Sequence, residues 1–215
     1  MSDSDEFKMK LVEQTLVPLS DEQIDRTVRF REAVLGENEN QNLTRLLTPT
    51  DFFEGHVLDV LHLKKTGWID SKTLDLGSGM GVPGLLYAII FGGKWVLSDS
   101  ETSKANFMSR IIDEFHLDSV QSTNKRAEEF LSTHGGDVFA ITSRAVGSVT
   151  KQYTWLSKCS TWNTLILFKG PKWEEEWAEF TLTGQRKRLK IAAEYPYSVG
   201  AEKKKRKLIR LDRSR

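Results

Sequence analysis

One stretch constrains this chain more than any other. The short apolar run Thr73-Leu74-Asp75-Leu76 leads straight into Gly77-Ser78-Gly79-Met80-Gly81-Val82-Pro83-Gly84, and an apolar segment from Leu85 to Phe91 follows. A buried strand, a glycine-rich turn and a helix in that order form the first half of a βαβ unit, the context that a nucleotide-type loop needs. Pro83 suits the first turn of a helix, and Gly92-Gly93 stops it. The alternation continues. Trp95 to Leu97 reads as a strand ending at Asp99, and Phe107, Met108, Ile111, Ile112 and Phe115 mark the apolar stripe of a helix. A weak strand near Val120, a helix from Arg126 to Leu131 and a strand from Val138 to Ile141 come next. A helix around Val149 to Cys159 precedes the strongest strand, Leu165 to Phe168. Strand and helix in regular alternation predict an α/β, Rossmann-like, doubly wound and mostly parallel sheet. Leu189 to Ala193 and Lys207 to Leu211 add a terminal antiparallel hairpin around Gly200.

Ahead of this block, Ser20-Asp21-Glu22-Gln23 reads as a capping box opening a helix that Gly36 can stop. A second helix begins near Thr50, with Phe52, Phe53, Val57, Val60 and Leu61 on one face. Residues 1–70 are thus expected to be an amino-terminal helical extension packed on the core. Residues 71–215 are expected to be the ligand-binding domain.

The 215 residues suffice for one domain that needs no disulfide or metal staple. Cys159 is the single cysteine, and the four histidines show no metal-ligand spacing, so no metal site is expected. The start is acidic, unlike a secretory signal, and the longest apolar run, Leu85 to Phe91, is far too short to span a bilayer. These features predict a cytoplasmic protein without a membrane partner. Net charge is only +1, yet Gln185 to Arg215 holds 12 Lys/Arg against 3 Asp/Glu. Such a split implies either a polyanion partner at that end or a solvated basic tail.

Gly79 to Gly84 matches the dinucleotide pattern G-x-G-x-x-G, which alone is weak. Asp75, two residues before Gly77, would face a pyrophosphate badly but suits the ammonium of a methionine moiety. Asp99, one βαβ unit later, is placed to accept from ribose hydroxyls or to cap the helix before Glu101. Together these favour S-adenosyl-L-methionine over a nicotinamide dinucleotide.

The chain resembles the small-subunit ribosomal RNA guanine-N7 methyltransferases, also called the glucose-inhibited division protein B family. The resemblance is carried in order by Asn42-Leu43-Thr44, His56-Val57-Leu58-Asp59, Asp75 to Gly84, Asp99-Ser100, Arg126-Ala127-Glu128-Glu129-Phe130, Thr142-Ser143-Arg144-Ala145-Val146 and Lys169-Gly170. It implies an S-adenosyl-L-methionine pocket lined by Gly77 and Val82, with Ala127 and Glu128 near the adenine and Arg144 after the fourth strand. With Asp75, Gly79 and Asp99 these make the expected cofactor set. The chain departs from the family pattern at Glu37, where a Trp is usual, at Gly55 and Val60, and at Ser103-Lys104. None of these touches the glycine loop.

The resemblance further implies a 16S ribosomal RNA substrate, free or in the small subunit; the protein is expected to be a monomer. Guanine N7 has a lone pair and no proton, so in-line methyl transfer requires no general base and no catalytic residue is assigned. A donor on N7 would block the reaction, so guanine must be held by stacking or by its other edges. Lys203, Lys204, Lys205, Arg206 and Lys207 are expected to position RNA phosphates. His56 and Asp59 lie three apart on a helix, suited either to RNA contact or to locking that helix on the sheet. The competing readings are a methyltransferase for a small molecule and a non-enzymatic RNA-binding or ribosome-assembly protein.

Overall fold

The computed structural model describes residues 2–134 and 136–214. Helix α1 (Asp3–Glu13) is followed by α2 (Asp21–Asn38), the short α3 (Pro49–Phe52), a π-helical turn (Phe53–Val57) and α4 (Leu58–Thr66). The alternating part runs β1 (Thr73–Leu76), α5 (Gly84–Phe91), β2 (Trp95–Ser98), α6 (Thr102–Glu114), β3 (Val120–Thr123), α7 (Ala127–His134) and β4 (Ala140–Arg144). It continues with α8 (Val149–Leu156), β5 (Thr164–Lys169) and α9 (Trp173–Leu182), and closes with β6 (Leu189–Val199) and β7 (Lys204–Arg213).

The seven strands lie in the order β3-β2-β1-β4-β5-β7-β6. Strands β1 to β5 pair in parallel, and β7 runs antiparallel to both of its neighbours. The chain therefore steps outward from β1 to β3, then returns to β4 on the other side of β1. That reversal opens a crevice at the carboxyl ends of β1 and β4, where open α/β sheets bind ligands.

Successive residues of a strand face opposite sides, and the two cores follow that rule. Leu74, Leu76, Val96, Ile141, Leu165, Leu167, Ile209 and Leu211 pack under α7, α8 and α9. Trp95, Leu97, Ile166 and Leu208 pack on the other side, in one cluster with α5, α6 and the amino-terminal helices. Helix α5 is apolar all round because it is covered all round: Leu85, Leu86, Ile89 and Ile90 are at most 3% exposed. Its last carbonyls find partners on α2, where Gln23 Nε2 donates to Ile90 O at 2.7 Å and Arg26 Nε donates to Ile89 O at 3.1 Å.

The capping box at Ser20 is present, with the Ser20 side chain accepting from Gln23 N. Gly36, in contrast, does not stop α2. It avoids the left-handed conformation that a glycine stop uses, and the helix runs on to Asn38. Helices α1 and α9 were not expected from the apolar pattern. Helix α1 presents only Phe7 and Leu11 as buried anchors, and α9 only Trp173 and Phe180. The hairpin strands are longer than their apolar segments, because backbone pairing extends through polar residues to Val199↔Lys204.

Candidate functional site

The glycine loop leaves β1 at the centre of the sheet and turns sharply into α5. Gly77, Gly79 and Gly81 all take positive φ, at 67°, 58° and 95°, which L side chains rarely adopt. Gly84 answers a different need. A Cβ there would lie 2.7 Å from Leu97 Cδ2 and 2.8 Å from Asp75 Cβ, so the glycine lets α5 pack directly on β1 and β2. At Gly77 the added atom would lie 2.8 Å from Val146 Cγ2, whereas at Gly79 it would meet nothing within 4 Å. Space above the loop is thus closed on the Val146 side and open over Gly79.

Asp75 holds this loop from below. It is fully buried, its Oδ1 accepts from Thr142 Oγ1 at 2.7 Å, and its Oδ2 accepts from Gly84 N at 3.0 Å. Thr142 is its direct neighbour in the β1–β4 register. Burial pushes the carboxyl up to about 6, against the hydrogen bonds from Thr142, Gly84 and Ser78, which lower it. Asp75 lies under the loop and not on the wall of the cavity above it, so a direct contact with a ligand ammonium is not what this arrangement provides.

Asp99 does reach that cavity. Its Oδ2 accepts from Gly79 N at 2.9 Å and its Oδ1 accepts from Glu101 N at 3.0 Å. It therefore ties the loop to β2 and steadies the start of α6 together. A carboxylate has about four lone-pair sites, so two such bonds leave capacity for two hydroxyls. The cavity holds about 130 Å³ and is lined by Gly77, Asp99, Ser100, Ala127, Glu128 and Trp155, among others. Ser98, Asp99, Ser100, Arg126 and Glu128 supply its polar lining, and Leu76, Ala127, Val146 and Trp155 its apolar lining. A carboxylate and hydroxyls for a ribose, together with an apolar and aromatic surface for a purine, are the groups that an adenosyl ligand needs, so the residues present fit one.

Of the eight expected cofactor residues, Gly77, Asp99, Ala127 and Glu128 come together on this wall. Asp75, Gly79 and Val82 belong to the loop and its support. Val82 is 4% exposed and part of the apolar cluster beneath. Arg144 turns to a neighbouring cleft of about 320 Å³ over β4 and β5, lined by His56, Asp59, Lys169, Tyr197 and Arg206 as well.

In that cleft Arg144 Nη1 donates to Gly55 O at 2.7 Å and to Asp59 Oδ2 at 3.0 Å. Its Nη2 lies 2.8 Å from His56 Nδ1. Arginine only donates, so Nδ1 accepts and the remaining ring nitrogen, Nε2, carries the proton toward Thr44 Oγ1 at 2.9 Å. Burial and then the charges of Arg144 and Arg206 push His56 down to about 2, so the ring stays neutral. Asp59 is 2% exposed and also accepts from Tyr197 Oη and Arg206 Nη1, each at 2.7 Å. Burial and the Asp59 carboxylate raise the Tyr197 phenol above its usual range. His56 and Asp59 thus lock α4 to the sheet through Arg144, one of the two roles open to them in the sequence.

The five expected RNA-contacting residues divide. Register places Lys207 beside Lys169, so the β6–β7 turn stands at the same carboxyl edge as both hollows. Arg206 is committed to Asp59, Lys207 to Glu174 and Glu194, and the exposed Lys204 to Glu202. Lys203 and Lys205 make no ion pair among the described residues, and both are exposed. Sequence reasoning assigned no role to Trp155, Val146, Thr44 or Tyr197. Thr44 lies inside Asn42-Leu43-Thr44, a matching piece whose role had no local signal. Trp155 sits near the end of α8, where nothing in its neighbours marks a ligand.

A family model described as rRNA small subunit methyltransferase G matches residues 23–208. The chain belongs to that family. Among its relatives, the ribosomal RNA small subunit methyltransferase G of Petrotoga mobilis is 32% identical over 197 residues, covering 88% of this chain and 86% of the relative. The protein of the same name from Mycoplasma capricolum is 32% identical over 167 residues, covering 75% and 71%. Similar solved structures include MtNAS in complex with MTA and tNA, at a TM-score of 0.59 and 12% identity, covering 88% of this chain and 70% of that one. M. capricolum TrmK in complex with S-adenosyl-homocysteine has a TM-score of 0.54 at 11% identity, covering 70% and 66%. At those identities the likeness shows the fold alone. No helix of the described residues is long and apolar enough to cross a membrane.

Proposed function

We propose that this chain transfers the methyl group of S-adenosyl-L-methionine to N7 of a guanine in small-subunit (16S) ribosomal RNA. Membership of the rRNA small subunit methyltransferase G family is the observation that carries the reading. The cavity at the strand-order reversal supports the cofactor, with Asp99 and Ser100 toward the ribose and Ala127, Glu128 and Val146 toward the purine. The cofactor supplies an activated methyl on sulfonium. What remains for the chain is to align the acceptor, exclude water and leave the N7 lone pair free. Asp75 and Asp99 fix the loop that shapes the donor side. Gly55, Asp59 and His56 occupy three of the five N–H donors of Arg144, which keeps those donors away from an incoming base. Lys203 and Lys205, exposed and without an ion pair among the described residues, are assigned to RNA phosphates. We read residues 71–215 as the catalytic unit and 1–70 as the extension that supplies His56 and Asp59.

The test is mass-spectrometric mapping of 7-methylguanosine in 16S RNA from cells with and without this protein, then with purified protein on free RNA and on small subunits. Loss of one 7-methylguanosine without the protein is expected. An unchanged map would overturn the assignment.

A further inference from the structure

Beyond the residues that carry the family pattern, the cavity has a wall that no motif marks. Trp155 is on α8, more than fifty residues from the glycine loop, yet it lines the same cavity as Gly77, Asp99, Ala127 and Glu128. Two contacts fix it there. Cys159 Sγ lies 3.5 Å from Glu128 O, which holds the segment after α8 against the start of α7. The indole itself is half-buried and packs on the apolar cluster under α7, α8 and α9, together with Val146. Lys151 Nζ stands 5.2 Å from the ring centroid, within cation–π range.

The cavity's polarity decides which part of a ligand meets this ring. Ser98, Asp99 and Ser100 form the hydrogen-bonding side. Leu76, Ala127, Val146 and Trp155 are the apolar residues of the lining, and Trp155 is the aromatic one among them. A flat, weakly solvated purine gains most from a flat apolar surface, whereas a ribose or an amino-acid group gains most from the carboxylate and hydroxyls. We propose that Trp155 is a cofactor-positioning residue that forms the aromatic wall of the adenine slot. Its packing against the core sets the depth of that slot, and Ala127 and Val146 complete it. The proposal rests on the reading of this cavity as the S-adenosyl-L-methionine site.

The experiment titrates purified full-length protein with S-adenosyl-homocysteine and, separately, with adenosine, by calorimetry and by intrinsic tryptophan emission. Wild type should show an emission change on binding either ligand. Trp155→Phe should keep affinity within about threefold, since an aromatic wall remains, but should lose most of the emission change. Trp155→Ala should bind both ligands about fivefold or more weakly, in equal proportion, because base–aromatic stacking is worth at least that factor. Circular dichroism selects the folded variants, and Trp155→Phe keeps the question open to refutation if the alanine form does not fold. An emission change in Trp155→Phe equal to wild type would overturn the proposal. So would a folded Trp155→Ala with unchanged affinity, or one weakened toward S-adenosyl-homocysteine but not toward adenosine. Wild type that binds neither ligand would overturn the cofactor reading itself, and this inference with it.

Discussion

Two neighbouring hollows at the carboxyl edge of the sheet are built in opposite ways. The one over β1 and β2 is shaped by main chain. Three glycines in left-handed conformation turn the loop, and its two carboxylates, Asp75 and Asp99, accept backbone N–H bonds from Gly84, Gly79 and Glu101. The one over β4 and β5 is shaped by side-chain charge. A single buried carboxylate, Asp59, gathers Arg144, Tyr197 and Arg206 from three separate elements. Backbone donors cannot be mutated away and hold their shape whatever binds, which suits a pocket for one small constant ligand. A charge cluster costs desolvation and holds only while every member is present. Its return is that it staples α4, β4 and the terminal hairpin together at the edge where the basic turn stands.

The sharpest way to break this contrast is at Asp59. Asp59→Ala leaves Arg144, Arg206 and Tyr197 without their shared acceptor, and loss of one partner from a buried pair costs about 3 to 5 kcal/mol. Both arginines retain some access to solvent, so the lower figure is expected. Urea unfolding of the variant should show that loss, with cofactor affinity of the remaining folded protein little changed. A variant as stable as wild type would mean that the cluster does not staple the three elements.

The main-chain hollow breaks at its last glycine. Gly84→Ala sets a Cβ against the Cβ of Asp75, which cannot swing aside, and against the terminal methyl of the fully buried Leu97, and overpacking of this kind costs about 1 to 3 kcal/mol. Gly36→Ala is its counterpart. Gly36 lies within α2 with nothing within 4 Å of the added atom, so alanine there should stabilise the fold by about 0.5 to 1 kcal/mol. Thermal unfolding of the two variants should move in opposite directions. Movement in the same direction would contradict the packing role given to Gly84.

These two hollows also differ in how far the sequence reveals them. The loop's ties span short intervals: Ser78 to Asp75, Gly84 to Asp75, and Gly79 to Asp99 across one βαβ unit. A strand, a glycine turn and a helix in succession imply the loop and a doubly wound sheet around it, whereas the strand order comes only with the structure. Direction is what spacing does not show: Asp75 falls at the position of a ligand contact in the sequence, and the strand turns its side chain beneath the loop. The charge cluster joins Asp59 to residues 85, 138 and 147 positions away. No local pattern encodes a meeting over such distances, so Arg206 read as one more cation in a basic run. Only the antiparallel insertion of β7 beside β5 brings it to Asp59.

Of similar size, but on binding instead of folding, is the effect expected for Asp99→Ala. Loss of the acceptor for ribose hydroxyls should weaken S-adenosyl-homocysteine by roughly 1 to 3 kcal/mol. The same change frees Gly79 N and Glu101 N, so a modest loss of stability accompanies it. A dideoxyribose analogue separates the two effects: the variant should bind it about as well as wild type does. A variant that still discriminates between the two ligands as wild type does would leave Asp99 a loop tie and helix cap only.

On the charged side, Lys203, Lys204 and Lys205 replaced together by Ser should leave stability and cofactor affinity unchanged, since none touches the cluster or the cavity. RNA binding should weaken, and its log–log salt dependence should flatten by about two to three units. An unchanged slope would remove the turn from the RNA path and leave Arg206 and Lys207, with their carboxylate partners, as purely structural cations.

The smallest effect expected is none at all. If N7 is the acceptor, no proton leaves it, and the single-turnover rate of methyl transfer should be nearly flat from about pH 7 to 9. Both hollows agree on this. His56, held at about 2 by burial and the neighbouring arginines, stays neutral throughout, and Tyr197, raised by burial and Asp59, stays protonated. Asp75 is the group near the lower limit, at about 6. Its folded value lies above the ordinary 3.8, so it favours the folded state below about pH 4, and that contribution is lost as pH rises through 6. Above that point it is charged, with both acceptors in use, and the loop has one form. A bell-shaped profile between pH 7 and 9 would argue for an acceptor atom that must lose a proton, and against N7.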